Sequence, residues 1–309
     1  MNSSPQRILI ALSGGVDSAV ASYLLKEKGY QVEAVYVRTW ENEKDALGDC
    51  PGAKDLADAK EVAKFLEIPF HVVNFIDFYH QEIVRPMIQG YADGITPNPD
   101  ILCNRKMKFG ALMKYAKNHE FEALATGHYC RKILGKDGQA QLLEGIDKNK
   151  DQSYFLSQIS QEQLNYALFP LGEMQKEDVR ILAEKIRLPV AKKKDSQGIC
   201  FLGKVKVPQF LSNFIDDQPG EIVTTRGKVV GRHQGLHRYT LGQRKGIGVP
   251  SNTDFENFVV TGKNQEMNQL VVAFEDPKEL TLWGYIYRIE SVFFFNDKFP
   301  TEKTQLLGK

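Results

Sequence analysis

Cysteine is scarce in this chain: four residues in 309, at positions 50, 103, 130 and 200, too few for a secreted disulfide framework. No C-x-x-C pair exists, which argues against structural zinc, and an iron–sulfur cluster would need more thiolates than the chain offers in suitable settings. Long apolar runs are missing too; nothing approaches the ~20 residues of a membrane span. Net charge is almost absent, with 40 Lys+Arg against 39 Asp+Glu. Internal repeats and low-complexity tracts are lacking, and 42% hydrophobic with 26% charged residues excludes a disordered or fibrous chain. Residues 1–6 alone precede the first apolar run, which leaves no room for a signal or transit peptide in this reading. The expectation is a globular chain of about two domains, at roughly 150 residues each, in reducing cytosol, with cysteines kept for reactivity.

Charge is balanced overall but not evenly mixed. Between Glu221 and Asp254 no acidic residue occurs, while Arg226, Lys228, Arg232, Arg238, Arg244 and Lys245 do, with His233, His237 and Tyr239 among them. A block of one sign suggests either a polyanion contact or a solvated loop face.

The first ~130 residues alternate apolar runs with helical patterns. Strands are expected at 7–12, 32–37, 70–75 and 123–126. Helices are expected from about Asp17 to Gly29, over Leu56–Leu66, from Tyr79 to Gln89 and from Asn104 to Lys117. Repeated βα units on this spacing predict a doubly wound parallel sheet, an α/β fold. A hairpin around Lys136-Asp137-Gly138 follows, with Cys130 expected to end a strand. Residues 153–187 look helical, with Ser160 and Gln163 fitting a capping box and Gly172 a break. From Gly220 the pattern is short strands with turns such as Arg226-Gly227-Lys228 and Gly262-Lys263-Asn264, so a boundary falls near residue 206.

Strand, then Ser13-Gly14-Gly15-Val16-Asp17-Ser18, then helix is an anion cradle. Two glycines let backbone approach a phosphate, the helix start aims N–H groups and partial positive charge at it, and two serines add hydroxyls. Asp17 either caps the helix or holds magnesium on the phosphates. The Walker ending and the three-glycine dinucleotide fingerprint are both absent. Cys103 precedes a predicted helix bearing Arg105, Lys106 and Lys108, and Cys200 follows the basic run Lys192–Lys194; cations and a helix N-terminus favour thiolate. Cys50 and Cys130 read as small apolar residues.

SGGVDS at 13–18 resembles the loop of the N-type ATP pyrophosphatases. Taken with TPNPDILCN at 96–104, ATGHY at 125–129, NKDQSYFL at 149–156, KKKDSQGICF at 192–201 and HQGLHRYTLGQRKGIG at 233–248, the chain resembles the tRNA-specific 2-thiouridylases of the MnmA family across nearly its whole length. That resemblance implies an ATP pyrophosphatase domain over 1–205, a β-rich tRNA-binding domain over 206–277 and the opening of a C-terminal β-barrel over 278–309. It implies ATP with magnesium, held by Ala11, Leu12, Ser13, Gly14, Gly15, Val16, Asp17 and Ser18, with Val37 at the adenine and Gly127 in the pocket. The members place Met where Val37 stands. The resemblance further implies Cys200 as persulfide carrier loaded by a sulfur-donor protein, Cys103 as the thiol that releases the sulfur, and a Cys103–Cys200 disulfide after turnover. Asn98, Pro99 and Asp100, with Lys150, Asp151 and Gln152, are implied to meet the target nucleotide, Asp100 as an acid/base or positioning group. Arg244 and Lys245 are expected to meet the tRNA backbone, with Tyr239 stacking or packing. Two other readings stay open: an amidotransferase-type ATP pyrophosphatase using ammonia, and a tRNA-binding module without catalysis.

Overall fold

The computed structural model describes residues 6–40, 52–136, 138–195, 206–250 and 257–275. Cys50, Cys200 and the expected barrel opening at 278–309 lie outside these residues. Strand β1 (Arg7–Ala11) leads into helix α1 (Val16–Glu27), strand β2 (Gln31–Arg38), helix α2 (Gly52–Phe65) and strand β3 (Phe70–Asn74). Helix α3 (Ile76–Tyr79), a π-turn at His80–Val84 and helix α4 (Arg85–Ala92) follow. Next come α5 (Pro99–Leu102), a π-helical stretch Cys103–Leu112, α6 (Met113–Asn118) and strand β4 (Ala123–Ala125). The hairpin β5 (Cys130–Leu134) and β6 (Ala140–Glu144) precedes α7 (Gln161–Tyr166), the two-residue strand β7 (Ala167–Leu168) and α8 (Lys176–Lys185). Finally α9 (Val207–Leu211) introduces strands β8 (Gly220–Thr224), β9 (Val229–His233), β10 (Phe258–Asn264) and β11 (Gln269–Phe274).

Two compact units result: among the described residues, 6–83 with 99–195 form one, and 84–98 with 206–275 the other. The first holds a parallel sheet of order β3-β2-β1-β4-β7. Its strands are apolar on both sides because both faces are covered. Ile8, Ile10 and Leu12 point to α1, α2 and α8, while Leu9, Val35 and Leu124 pack on Phe109, Leu112 and Ala116 from the opposite face. Ile8, Leu9 and Ile10 are fully buried, each contributing about 1.5–3 kcal/mol of hydrophobic stabilisation. The α/β doubly wound expectation is borne out.

The helix expected from Tyr79 to Gln89 is present, within a continuous helical run from Ile76 to Ala92 whose turn at His80–Val84, just before Pro86, is π-helical. Several local expectations are corrected. The helix expected from Asn104 begins at Pro99, so Cys103 lies one turn inside it rather than at its N-terminus. Cys130 opens β5 instead of ending a strand. The helical stretch 153–187 is interrupted by β7, which pairs with β4 at the sheet edge. The Ser160–Gln163 capping box is present, with both reciprocal bonds made.

The second unit contains a four-stranded sheet of order β10-β11-β8-β9, antiparallel except for the β11–β8 pair. Its core joins Ile222, Tyr239, Ile247, Val260, Leu270 and Val272, with Phe258 stacked on Phe274 at 4.3 Å between centroids. The β8–β9 turn uses Gly227 at φ +78°, as expected. The turn placed at Gly262–Asn264 falls instead at residues 265–268, because β10 runs on to Asn264 past a bulge after Val260. No helix among the described residues is long and apolar enough to cross a membrane.

Candidate active site

In a doubly wound sheet the crevice forms outside the carboxyl ends of the strands where the winding reverses. Here β1 and β4 flank that point, and the loops that leave them are Ser13–Gly15 and Thr126–His128. Gly14 takes φ +77°, and a Cβ there would stand 2.3 Å from the Asp55 carbonyl oxygen. Glycine is therefore demanded twice, by backbone conformation and by the approach of α2. Gly15 is less constrained, its added Cβ meeting only the Ser13 Oγ at 3.5 Å. Gly127 fits against the first turn of α1, where a Cβ would lie 2.9 Å from the Ser18 nitrogen.

The loop braces itself. The Ser13 N–H donates to the Ser18 Oγ at 3.2 Å, the two hydroxyls lie 3.1 Å apart, and the Ser18 hydroxyl donates to the Gly15 carbonyl at 3.1 Å. Leu12 and Val16 point into the core, so they offer a ligand only backbone, and the Leu12 N–H is already given to the Val35 carbonyl. The first N–H groups of α1 have no partner within the helix. Val37 is half-buried at the carboxyl end of β2.

Asp17 does not cap α1; Gly15 holds the cap position without a side-chain bond. Its carboxylate instead receives the Lys176 ammonium at 2.6 and 2.8 Å and the Tyr129 hydroxyl at 2.7 Å. Burial and then the Asp17 charge push the Tyr129 phenol far up, so it stays a donor. Lys176 also meets Asp195 at 2.9 Å, and Asp195 binds Arg180 and Lys150 besides. Burial works against ionisation of Asp195, yet the bonds from Lys176 and Lys150 and the neighbouring cations bring it down to about 2. Lys193 donates to the Gly14 carbonyl at 3.0 Å and is paired with Asp55 and Asp58. Asp147 accepts the backbone N–H groups of Lys176, Asn149 and Lys150, which holds its carboxyl below the usual range.

The motifs picked out in the sequence are thus physically joined within this unit. Tyr129 ties ATGHY to the phosphate loop, and Lys193 ties KKKDSQGICF to the same loop. The Gln152 amide oxygen accepts the Tyr129 N–H at 3.1 Å, and Asp151 accepts from Gly145 and Ser153. Lys150 is exposed and bonded to Asp195. Asn104 donates to the Phe155 carbonyl at 3.0 Å while its own Oδ1 is buried without a partner among the described residues. Cys103 beside it is 5% exposed. Pro99 is buried and Asp100 half-buried in this unit, whereas Asn98 belongs to the second. Cys130 is a core residue whose thiol is pushed far up by burial, then by Asp151. His128 is buried and its pKa falls well below the ordinary value through burial, then Lys108; its Nδ1 lies 2.8 Å from the Thr126 hydroxyl. Asp147, Lys176 and Arg180 were not singled out in the sequence, and Tyr129 and Lys193 entered only as members of ATGHY and KKKDSQGICF, since an ion pair between residues 159 positions apart leaves no local signal.

A model described as a tRNA methyl transferase HUP domain matches residues 6–204, and one described as a tRNA methyl transferase PRC-barrel domain matches residues 208–274. The tRNA-specific 2-thiouridylase MnmA of Akkermansia muciniphila is 50% identical over 90% of this chain and 78% of its own length. The protein of the same name from Enterobacter sp. (strain 638) is 46% identical over 91% and 77%. The chain belongs to the MnmA family. Among solved structures, a 4-thiouridine synthetase–RNA complex with bound ATP gives a TM-score of 0.44 at 17% identity, covering 64% of this chain and 45% of that one, too distant to bear on the site.

In the second unit of this family member the basic stretch is only partly free. Arg238 is held by Asp217 at 2.6 and 2.8 Å, and Arg244 by Glu275 at 2.5 Å. Arg226, Lys228, Arg232 and Lys245 are exposed and have no ion-pair partner among the described residues. His233, His237 and Tyr239 are buried, so they belong to the core rather than to a charged face, and Tyr239 packs instead of stacking on a base. A recess of about 310 Å³ beside Arg244 is lined by Gly246, Ile247, Gly248 and Phe258.

Proposed function

We propose that this chain thiolates the wobble uridine of tRNA at C2, using ATP to activate the uracil oxygen and a cysteine persulfide as sulfur source. The observation that carries the reading is the left-handed Gly14 cradle, with its paired serines, at the switch point of the sheet. Family membership supports the RNA substrate, because the relatives it matches are tRNA-specific 2-thiouridylases. The matching domain descriptions speak of methyl transfer, but a methyl donor without phosphates has no use for such a loop, whereas adenylation does.

Residues 11–18 and Gly127 would hold the phosphates, with Val37 at the adenine. Asp17, a carboxylate already facing a cation, has the donor chemistry for magnesium. The uracil 2-oxygen attacks the α-phosphorus, the uracil N3 proton is lost and pyrophosphate leaves with the bonding pair. The terminal persulfide sulfur on Cys200 then attacks C2 and expels AMP. Cys103 thiolate attacks the Cys200 sulfur, which leaves the transferred atom on C2 and creates a Cys103–Cys200 disulfide. Cys103 lies inside a helical run that begins at Pro99, so no helix terminus faces its thiol. Asn98, Pro99, Asp100, Lys150, Asp151 and Gln152 face the target nucleotide, Asp100 positioning the uracil, which must leave its stack to be reached. Arg244 and Lys245 meet the backbone. A persulfide-donating protein reloads Cys200.

The test is nucleoside mass spectrometry of tRNA incubated with ATP, magnesium and a sulfur donor. Wild type should give 2-thiouridine, Cys103→Ser should load sulfur on Cys200 without thiolating tRNA, and Cys200→Ser should fail to load. Sulfur on Cys130, or thiolation by Cys200→Ser, would refute the mechanism.

A further inference from the structure

Lys176 stands where a helix disfavours a cation. It is the first residue of α8, and the partial positive charge of a helix N-terminus suits acids such as the following Glu177 and Asp178. Its side chain is only 12% exposed. Two carboxylates compensate: both oxygens of Asp17, at 2.6 and 2.8 Å, and Asp195, at 2.9 Å. Such a local violation points to use rather than to stability.

The other cations around the loop are committed elsewhere. Lys193 is spent on Asp55, Asp58 and the Gly14 carbonyl, Arg180 on Asp195 and the carbonyls of Ala191 and Lys193, and Lys150 on Asp195. Among the described cations Lys176 is the one bonded to a side chain of the phosphate loop, and the partner it holds is the loop's own carboxylate.

We propose that Lys176 is a phosphate ligand that exchanges partners: as the phosphates of a nucleotide enter the loop, its ammonium passes from Asp17 to them. Asp17, released, is then free to face a magnesium ion. Without this exchange the incoming anion would meet Asp17 across a low-dielectric gap, a like-charge contact that opposes binding. Asp195 keeps its grip on Lys176 throughout and limits how far the ammonium travels. The inference rests on the reading of residues 13–18 as a phosphate loop and adds the cation that this loop, having no lysine of its own, otherwise lacks.

Titration calorimetry with α,β-methylene-ATP plus magnesium, and with inorganic pyrophosphate without metal, tests it on folded variants checked by circular dichroism. Lys176→Gln should lose about tenfold or more in affinity for both, while Lys176→Arg, which keeps the charge, should retain most of it. Asp17→Asn should bind metal-free pyrophosphate more tightly than wild type, because Lys176 no longer has to leave a carboxylate, and the double variant Asp17→Asn/Lys176→Gln should lose that gain. Unchanged affinity in Lys176→Gln, or a gain that persists in the double variant, overturns the exchange. Failure of wild type itself to bind the nucleotide analogue overturns the ATP reading and this inference with it.

Discussion

The Tyr129 hydroxyl donates to Oδ1 of Asp17 at 2.7 Å, joining the turn after β4 to the loop after β1. A neutral phenol thereby fixes the one carboxylate of the phosphate loop. Tyr129→Phe removes this charge-assisted bond and should cost about 1.5–3 kcal/mol in stability, measured by urea unfolding. It should also raise the KM for ATP more than it lowers kcat, because Asp17 loses its orientation rather than its charge.

The two glycines of the loop should behave differently. Gly14→Ala combines a left-handed backbone with a 2.3 Å clash against the Asp55 carbonyl, and should abolish nucleotide binding or folding. Gly15→Ala meets only a serine hydroxyl at 3.5 Å and should remain folded with binding reduced less than tenfold. Analogue binding alongside circular dichroism separates the two.

What the sequence disclosed and what it hid follow a physical division. Apolar runs such as Ile8-Leu9-Ile10 read as strands because both faces of the sheet are covered, and Gly14 was visible because only glycine answers both demands. The start of the helix at Pro99 was missed, although proline in a first turn was the available sign. Strand β7 was invisible, since two residues acquire strand character only by pairing with Leu124 and Ala125. The Asp17–Lys176–Asp195 arrangement was hidden because long-range ion pairs have no periodicity. The basic stretch misled in part: acids from outside it, Asp217 and Glu275, neutralise Arg238 and Arg244.

tRNA affinity should therefore depend most on the unpaired cations. Lys228→Glu with Arg232→Glu should weaken binding and flatten the plot of log affinity against log salt by about one unit per lost phosphate contact. Arg238→Ala should leave the slope nearly unchanged. Filter binding across a salt series distinguishes them.

Buried histidines set a pH dependence. His233 and His237 are both depressed below their ordinary value, chiefly by burial, with Arg232 and Arg238 adding and Asp217 opposing at His237. The folded state holds them neutral while the unfolded chain takes up protons below about 6.5, so stability contributed by their neutral forms is lost as pH falls from there. Denaturant midpoints measured from pH 7.5 to 5.5 should decline, and His237→Gln should flatten the decline.

The most direct test of the account measures three products in one single-turnover reaction of persulfide-loaded wild-type protein with tRNA, ATP and magnesium, without reductant. One 2-thiouridine, one AMP with one pyrophosphate, and one Cys103–Cys200 crosslink per enzyme are predicted. Thiolated tRNA formed without ATP cleavage, or with Cys103 still a free thiol, would contradict it.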